Sequence, residues 1–352
     1  MGETPESPPF PLLKLPYVVL NNVISNFKQR EILEFSFVSK KCSSIIKTSN
    51  LFRFEIRISF AKDLPVVSFT PPGKFTLGNC HIAEDYFEKR ENYIRDIVDM
   101  NKWSGDVDEK NLQLSLTWAD YIFDLYHLNN IAGIYLSSNF SLNKVNTIVE
   151  WLNRRIPYPM NFFFNGSETN EDGLELFFDR LKVNMRTLSL QLTVVKDLKP
   201  FIRRILDLDR FEAYGKSFTY PIKWITMDYI LSSTFKSIYM RYTSFTEMDF
   251  NRFIKSWLNG NHSRLESFYA DVQQMNRDLV IDGIEVEKRD DNVKRVFTAK
   301  STIWDTYSYE LNGGYDISRS DGTSATIKLE RHVFDFMPPI CTFLMVVWSK
   351  LG

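Results

Sequence analysis

A strand–helix pattern that recurs along the middle of the chain is the feature that most constrains its fold. The segment Ile134-Tyr135-Leu136, followed by a polar linker and Val149-Glu150-Trp151-Leu152-Asn153, returns as Ile238-Tyr239-Met240 followed by Ile254-Lys255-Ser256-Trp257-Leu258-Asn259. Each copy predicts a strand, a loop, a helix and a turn into another strand. The apolar runs at 162–164 and 265–269, and the alternating stretch at 186–192, predict further strands between and after these copies.

The spacing of these strands predicts a stacked architecture. They lie near residues 134, 161, 188, 238 and 267, so successive strands are separated by 27, 27, 50 and 29 residues. One strand and one helix in a unit of this length is typical of leucine-rich repeats, although the asparagine and leucine positions of that consensus are degenerate here. The step of 50 residues has room for two units, with Trp224–Met227 as the intervening strand. We therefore expect an irregular leucine-rich-repeat-like arc of parallel strands over residues 51–275.

The part of this region that precedes the repeat gives a mixed pattern. Residues 51–60 alternate apolar and polar side chains and predict a half-buried strand, and residues 64–80 predict short strand pieces broken by proline and glycine. Residues 82–103 have helical spacing of their apolar side chains. Residues 104–111 predict a polar loop.

Residues 276–352 predict a small antiparallel β subdomain. The segments 284–289 and 293–297 flank Asp290-Asp291-Asn292 and predict a first hairpin. A second hairpin is expected around Ser320-Asp321-Gly322-Thr323, because Asp-Gly between alternating runs favours a tight turn. We expect the apolar run 343–348 to close this sheet.

Gly313-Gly314 stands just before the second hairpin and predicts a bend. With Asp316 nearby, the same residues also allow a phosphate loop or a calcium site, but a turn between strands is the simpler interpretation. Tyr307-Ser308-Tyr309 could be modified or could simply be exposed residues beside the glycines.

The N-terminal part predicts a tail followed by three short helices. Residues 1–9 have no periodic pattern and predict a disordered tail. Helices are expected over 15–24, 30–37 and 38–47, the first with Pro16 in its first turn. Three helices of this length bury too little surface to be stable alone. We therefore expect a foreign subunit, rather than later segments of the same chain, to cover their remaining apolar side.

The sequence FPLLKLPYVVLNNVISNFKQREILEFSFVSKKCSSIIK, within residues 10–50, resembles an F-box, with Ser36-x-Val38-Ser39-Lys40 in the form typical of nematode members. Two features depart from that family: Ile45-Ile46 replaces the usual Trp, and Lys28-Gln29 stands where a helix cap is usual. The resemblance implies binding to a Skp-type adaptor, and through it to a cullin, by the Leu-Pro entry and the helix faces. The residues that it implies at the adaptor interface are Leu15, Pro16, Val19, Leu20, Val23, Ile24, Ile32, Leu33, Ser36, Val38 and Ser39.

The C-terminal part is similar to the F-box-associated domain of nematode F-box proteins. The similarity is carried by GGYDISRSDGTSATI, by the terminal FLMVVW, and by Trp257-Leu258-Asn259-Gly260 with Leu265-Glu266. It implies a mixed α/β chain with an F-box at 10–50, the strand–helix region at 51–275 and the antiparallel part at 276–352. The name of that domain implies no particular ligand, so the substrate-binding residues stay unknown from the sequence.

Composition excludes several other classes. The net charge of −1 gives no basic surplus for nucleic acid, and the longest apolar run, 340–348, is too short to span a bilayer. Cys42, Cys80 and Cys341 are far apart, and the four histidines have no metal spacing, so we predict no metal, no cofactor and a reducing, intracellular compartment, cytoplasmic or nuclear. The acidic pairs Asp106/Asp108 and Asp290/Asp291 are interpreted as solvated loop charges.

Three functions follow from this sequence. The first is a non-catalytic substrate receptor of an SCF-type cullin–RING ubiquitin ligase, which binds a protein substrate through its C-terminal domain. The second is an interaction scaffold unrelated to ubiquitin, whose N-terminal helices cap the repeats. The third is an enzyme with a diffuse site, although no nucleophile, phosphate-loop or dinucleotide motif supports it. Polar residues on the strands, such as Gln191, Arg241, Tyr242 and Asp271, are candidates for substrate contact.

Overall fold

A single mixed sheet organises the molecule. The structure, a computed structural model, describes residues 11–27, 29–49, 55–60, 66–70, 107–127, 131–137, 140–156, 160–166, 170–192, 207–299, 307–333 and 339–348. Within these residues, twelve strands form one sheet in the order β2-β1-β3-β4-β5-β6-β7-β8-β12-β11-β10-β9. The strands are β1 (Glu55–Ser59), β2 (Val66–Thr70), β3 (Ile131–Ser137), β4 (Met160–Gly166), β5 (Met185–Leu192), β6 (Arg210–Tyr214), β7 (Ser237–Arg241), β8 (Ser267–Val272), β9 (Glu287–Ala299), β10 (Tyr307–Ser318), β11 (Ser324–His332) and β12 (Ile340–Trp348).

Helices precede the sheet and connect its strands. They are α1 (Tyr17–Ile24), α2 (Gln29–Val38), α3 (Lys40–Ser49), α4 (Val107–Tyr126), α5 (Leu142–Arg155), α6 (Glu171–Arg180), α7 (Met227–Leu231), α8 (Glu247–Leu258) and α9 (Arg277–Val280), with a 3-10 turn at Leu12–Lys14. Local sequence fixes several helix starts. Pro16 is the N-cap of α1, and Thr246 and Asp249 form a capping box at the start of α8. The three N-terminal helices confirm the prediction for this part of the chain.

The middle of the sheet is parallel and follows the chain. Strand β3 pairs in parallel with β4, and the same pairing continues without interruption through β5, β6 and β7 to β8. Helices pack against one face, where Phe162 and Phe164 of β4 contact Phe177 of α6 with ring centroids 5.5 and 5.0 Å apart. The predicted parallel strands and intervening helices are therefore present. Strand order and register alone do not define an arc, so the leucine-rich-repeat-like shape stays a prediction.

Two predictions within this region are wrong. The intervening strand is β6 (Arg210–Tyr214) and not Trp224–Met227, where Thr226 instead caps α7 by accepting a hydrogen bond from the Tyr229 amide. The predicted polar loop 104–111 is also wrong from Val107 onward, because α4 begins there. Buried side chains follow the helical spacing of α4, a signal that the sequence carried: Leu112, Leu116, Ala119, Ile122 and Phe123.

The C-terminal strands are antiparallel, as predicted, but they are joined to the parallel strands. Strand β12 pairs on one side with β11 and on the other with β8, with Met345 opposite Phe268. The run 343–348 therefore lies inside the sheet and does not close a separate one. The Asp-Gly hairpin is confirmed, since Ser318 pairs with Ser324 and Gly322 has a φ of 82°.

The predicted hairpin at 284–297 is wrong. Its second half belongs to one long strand, β9, which pairs with β10. Asp290-Asp291-Asn292 lies where the register shifts between Asn312 and Gly314, so these residues form a bulge and not a turn. Gly313 lies opposite this bulge with a φ of 68°, and a Cβ there would meet the Asp291 side chain. The bend predicted at Gly313-Gly314 is thus an irregularity inside a strand.

Several predictions lie outside the described residues. They are the disordered tail at 1–9, most of the strand pieces at 64–80 and the helix at 82–103. The division at residues 275 and 276 stays a prediction, while the sheet itself continues across that point through the pairing of β8 with β12.

Candidate partner-binding surfaces

The N-terminal helices leave four apolar side chains in solvent. Tyr17, Val18 and Val19 of α1 are 51%, 70% and 44% exposed, and Val38 at the end of α2 is 65% exposed. We call these four residues the N-terminal apolar set. Side chains of this kind are ordinarily covered, and burying a Val side chain stabilises a complex by roughly 1.5–3 kcal/mol. The set can therefore supply energy for binding another protein.

The predicted adaptor-contact residues divide into two groups. The exposed or half-buried ones are Leu15, Pro16, Val19, Val23, Val38 and Ser39, and the buried ones are Leu20, Ile24, Ile32, Leu33 and Ser36. Leu20 and Ile24 are four residues apart and belong to the stripe that α1 turns inward. Tyr17 and Val18 are not among the contact residues predicted from the sequence. Their position off that stripe was the signal that they would be exposed.

Helix α4 covers part of the N-terminal helices. The Tyr121 hydroxyl donates to Ser36 Oγ at 2.9 Å, and the Tyr121 ring stacks on Phe37 with centroids 5.2 Å apart. Buried residues of α1, α2 and α3 belong to the same apolar core as those of α4 and the sheet. The expectation that later segments leave these helices uncovered is thus met only in part. Their inner side is covered by the chain, and the N-terminal apolar set is not.

Helix α4 is in turn fixed to the strand–helix region. Asp120 accepts hydrogen bonds from Trp151 Nε1 at 2.8 Å and from Arg155 Nε at 2.6 Å, and Arg155 also contacts Asp124. The hydrogen bond with Asp120 raises the pKa of the Arg155 guanidinium above its usual value. These contacts connect the N-terminal helices to the sheet through one continuous set of packed side chains.

The second surface is the face of the parallel strands opposite Phe162 and Phe164. Because side chains alternate along a strand, the residues next to the buried positions share this face. One row crosses six paired strands: Tyr135, Phe163, Ser189, Glu212, Tyr239 and Tyr269. A second row lies two residues further along: Ser137, Asn165, Gln191, Tyr214, Arg241 and Asp271. We call these two rows the polar face.

Aromatic rings stack along the polar face. Tyr135 and Phe163 have centroids 4.5 Å apart, and Tyr239 and Tyr269 have centroids 4.6 Å apart, each pair with planes within 11°. Stacked aromatic pairs contribute about 0.5–1.5 kcal/mol beyond the area that they bury. The rings are only partly buried, so they remain accessible to a ligand.

Asp271 is the most buried charged group on this face. Its side chain is 1% exposed and accepts hydrogen bonds from Arg241 Nε at 2.9 Å, from the Tyr269 hydroxyl at 2.7 Å and from Thr342 Oγ1 at 3.2 Å. Burial is the main cause that raises the pKa of Tyr269 above its usual value, and the hydrogen bond with Asp271 raises it further. Burial opposes the charge of Arg241, yet its hydrogen bond with Asp271 keeps the pKa of that guanidinium above its usual value.

A second buried ion pair lies one strand away. Arg210 Nε contacts the Glu212 carboxylate, which also accepts a hydrogen bond from the Tyr214 hydroxyl at 3.0 Å. The Arg210 guanidinium lies 5.9 Å from the centre of the Tyr239 ring. The part of the polar face on β6, β7 and β8 therefore carries paired charges and phenols held in place by one another.

The four predicted substrate residues have different environments. Gln191 is exposed, Arg241 and Tyr242 are partly buried, and Asp271 is buried and fully engaged. Sequence reasoning missed Glu212, Tyr239 and Tyr269 on the same face. Their positions next to Phe211, Ile238 and Phe268 were the available signal, since neighbours along a strand point to opposite faces.

The described residues also line a polar cleft at the other ends of these strands. A cleft of about 620 Å³ lies where β5 and β6 begin. Its Asp209 is paired with Arg264 at 3.0 Å and with Lys236 at 2.8 Å. No histidine or cysteine among these described residues lines it. No described group of three or more His, Cys, Asp or Glu side chains is placed to hold a metal ion. Among the helices that the structure describes, none combines the length and apolar character needed to cross a membrane.

Two known family models match segments of this chain. An F-box domain model matches residues 12–54, which include α1, α2 and α3. An F-box associated model matches residues 202–270, which run from before β6 into β8. The searches of curated proteins and of solved structures gave no match to this chain.

The second match includes Trp257-Leu258-Asn259-Gly260 and Leu265-Glu266, on which part of the predicted similarity depended. It ends before residues 276–352, so the membership of that antiparallel part in the same domain stays a prediction. The chain therefore combines an N-terminal F-box domain with a C-terminal F-box-associated domain.

Proposed function

We propose that this chain is the substrate-recognition subunit of an SCF-type cullin–RING ubiquitin ligase. In this function the F-box binds a Skp-type adaptor, the adaptor binds a cullin, and the C-terminal domain binds a protein substrate. The observation that carries the proposal is the N-terminal apolar set, which lies in solvent on the helices that the F-box domain model matches. The chain would be non-catalytic, because ubiquitin transfer would be performed by other subunits and this one would supply proximity.

The burial pattern refines which residues would touch the adaptor. We propose direct contacts for Leu15, Pro16, Val19, Val23, Val38 and Ser39, together with Tyr17 and Val18. Leu20, Ile24, Ile32, Leu33 and Ser36 would hold the helices in place from within. Ser39 would also order the start of α3, since its Oγ accepts a hydrogen bond from the Cys42 amide at 3.1 Å.

The polar face is the substrate-binding surface in this proposal. We propose that the strand–helix region curves as a leucine-rich-repeat-like arc and that Gln191 and Arg241 contact the substrate. Helix α4 would fix the distance between adaptor and substrate, because it contacts the F-box through Tyr121 and the strand–helix region through Asp120. A cytoplasmic or nuclear location follows from the proposed partners.

The adaptor contact can be tested with the double variant Val18→Asp/Val38→Asp. Both side chains lie in solvent, so the variant should fold normally while placing two carboxylates in the interface. Burying such unpaired charges costs several kcal/mol, so co-purification with a Skp-type adaptor should weaken by about 100-fold or more. Met248→Asp on α8, where the side chain is 62% exposed, is the matched control and should bind normally.

The alternative is an interaction scaffold whose N-terminal helices only cap the sheet. The observation that favours it is the packing of α4 against Ser36 and Phe37. Deleting residues 1–50 does not separate the two functions, because the deletion exposes Tyr121 in either case. The surface variant does separate them: adaptor binding that is absent from the wild type, or unchanged in the variant, would favour the scaffold.

A further inference from the structure

Arg241 lies at the carboxyl end of β7, between β6 and β8, and only one part of its guanidinium is hydrogen-bonded. Arg241 donates through Nε to Asp271, and its side chain is still 37% exposed. Within the described part of the chain, its Nη1 and Nη2 groups have no hydrogen-bond partner. A guanidinium carries five N–H donors, so most of the donors of Arg241 remain available to a ligand.

The segments that follow these strands place two lysines near Arg241, since the Gly215 amide bonds to the Arg241 carbonyl and the Ile222 amide to that of Tyr242. The segments 215–226, 242–246 and 273–276, which follow the three strands, contain Lys216 and Lys223 and no Asp or Glu. Both lysines are exposed. The nearby carboxylates already have partners: Asp271 is buried and paired with Arg241, Glu247 accepts a hydrogen bond from the Asn276 amide, and Asp228 pairs with Arg252.

The backbone beside Arg241 is held in an uncommon conformation. Tyr242 has a φ of 57°, which is rare for a bulky residue, and its carbonyl accepts a hydrogen bond from the Ile222 amide at 2.8 Å. Gly215 makes this approach possible, because a Cβ there would lie 2.9 Å from the same carbonyl. Strain of this kind is kept where the surrounding structure over-determines it, here through the hydrogen bonds that this turn makes with the segment after β6.

Aromatic side chains flank the same arginine. The guanidinium lies 5.2 Å from the centre of the Tyr242 ring, and Phe218 meets that ring edge to face at 5.0 Å. The contact with this ring and the hydrogen bond to Asp271 limit the orientations of the guanidinium, which suits it to bidentate recognition of a planar carboxylate. The site thus combines an oriented guanidinium, two exposed lysines and aromatic rings for the stem of a ligand side chain.

We propose that this carboxyl-end site binds an acidic peptide segment of the protein substrate, with Arg241 as the group that recognises a Glu or Asp side chain. This inference rests on the proposed function and names the substrate class for the same surface. The carboxylate would accept from Nη1 and Nη2, Lys216 would add attraction at longer range, and the polar face would extend the contact along the peptide.

A positional-scanning peptide array tests this inference. Each array holds randomised dodecapeptides with one fixed central residue, either Glu, Asp, Gln, Lys or phosphoserine. It is probed with the full chain purified through an affinity tag, and adaptor binding is assayed separately. The wild type should bind the Glu and Asp arrays at least about tenfold more strongly than the Gln array, since an Arg–carboxylate hydrogen bond contributes roughly 1.5–3 kcal/mol. Preference for Lys, or no preference, would overturn the inference.

The matched variants assign the preference to the site. The double variant Arg241→Gln/Asp271→Asn removes both charges of the buried pair and keeps side chains of similar shape, so it should fold while its acidic preference falls to about twofold or less. Lys288→Gln on β9, on the far side of the antiparallel strands, should keep the full preference. If the double variant does not fold, Lys216→Gln/Lys223→Gln decides, with an expected drop of about three- to tenfold.

Two further outcomes would contradict the inference and leave the proposed function unaffected. A preference that survives in the folded double variant would place the acidic contact elsewhere. Binding of the phosphoserine array about tenfold above the Glu array would replace the carboxylate by a phosphate. In each preparation adaptor binding is measured in parallel, so loss of adaptor binding with an intact acidic preference would count against the ligase function alone.

Discussion

The N-terminal helices and the carboxyl ends of the central strands expose opposite kinds of side chain. The helices present Val18 and Val38, which are apolar and largely exposed. The strand ends present Arg241, whose orientations are limited by Asp271 and by the Tyr242 ring. An apolar surface binds any partner of complementary shape, whereas an oriented charge selects a partner by its chemistry. Under the proposed function, the apolar helices would bind a constant adaptor and the strand ends a specific substrate.

The largest expected effect tests whether the two regions unfold together. Phe250 is fully buried, and its ring stacks on Phe343 of β12 with centroids 4.3 Å apart. Phe250→Ala should lower the free energy of unfolding by about 3–5 kcal/mol, because it leaves a cavity between α8 and the sheet. Urea denaturation followed by circular dichroism measures this, with Met248→Ala as the control. A second transition that does not move in Phe250→Ala would show that the N-terminal helices unfold as a separate unit.

The next effect concerns the buried carboxylate of the polar face. Asp271→Ala should lower the free energy of unfolding by about 3 kcal/mol, since it leaves Arg241 and the Tyr269 hydroxyl without their acceptor. Asp228→Ala removes an exposed carboxylate from a pair with Arg252 and should change stability by no more than about 0.5 kcal/mol. Equal losses in the two variants would show that the polar face is as solvated as an ordinary surface.

A smaller effect is expected where α4 meets the F-box. Tyr121→Phe removes the hydroxyl that donates to Ser36 and should cost about 1 kcal/mol. Thr117→Ala on the same helix removes an exposed hydroxyl and should be nearly neutral. Amide hydrogen exchange of α2 should become faster in Tyr121→Phe only. Unchanged exchange in α2 would mean that α4 does not stabilise the N-terminal helices.

The smallest effect is a pH dependence in the antiparallel strands. Burial opposes the charge of Asp316, but hydrogen bonds from Arg295, Thr326 and Arg289 hold its pKa below the usual value. A carboxyl with a depressed folded-state pKa adds stability above the unfolded pKa of about 3.9, and that stability is lost as the pH falls through the folded value. Asp316→Asn should therefore be less stable than the wild type at pH 6, and the gap should narrow below about pH 4. A gap that stays constant down to pH 2 would contradict this account.

Local sequence was sufficient for many elements. The F-box helices, the strands β3, β4, β5, β7 and β8 and the Asp-Gly hairpin were all predicted, because periodicity, caps and turn residues act over a few positions. Strand β6 was missed because β-branched and aromatic residues at 224–227 gave a competing signal. Only the tertiary structure shows that Thr226 is used there as a helix cap.

What the sequence by itself determined is the set of amphipathic elements and the presence of an F-box, since both depend on residues close together in the chain. Only the tertiary structure decided that β12 pairs with β8, that Leu20 and Ile24 point inward while Val18 does not, and that Asp271 is buried beside Arg241. These outcomes depend on which distant segment covers each face. The free energy gained by burying a face depends on the segment that packs against it, so the residue spacing of either segment alone does not predict it.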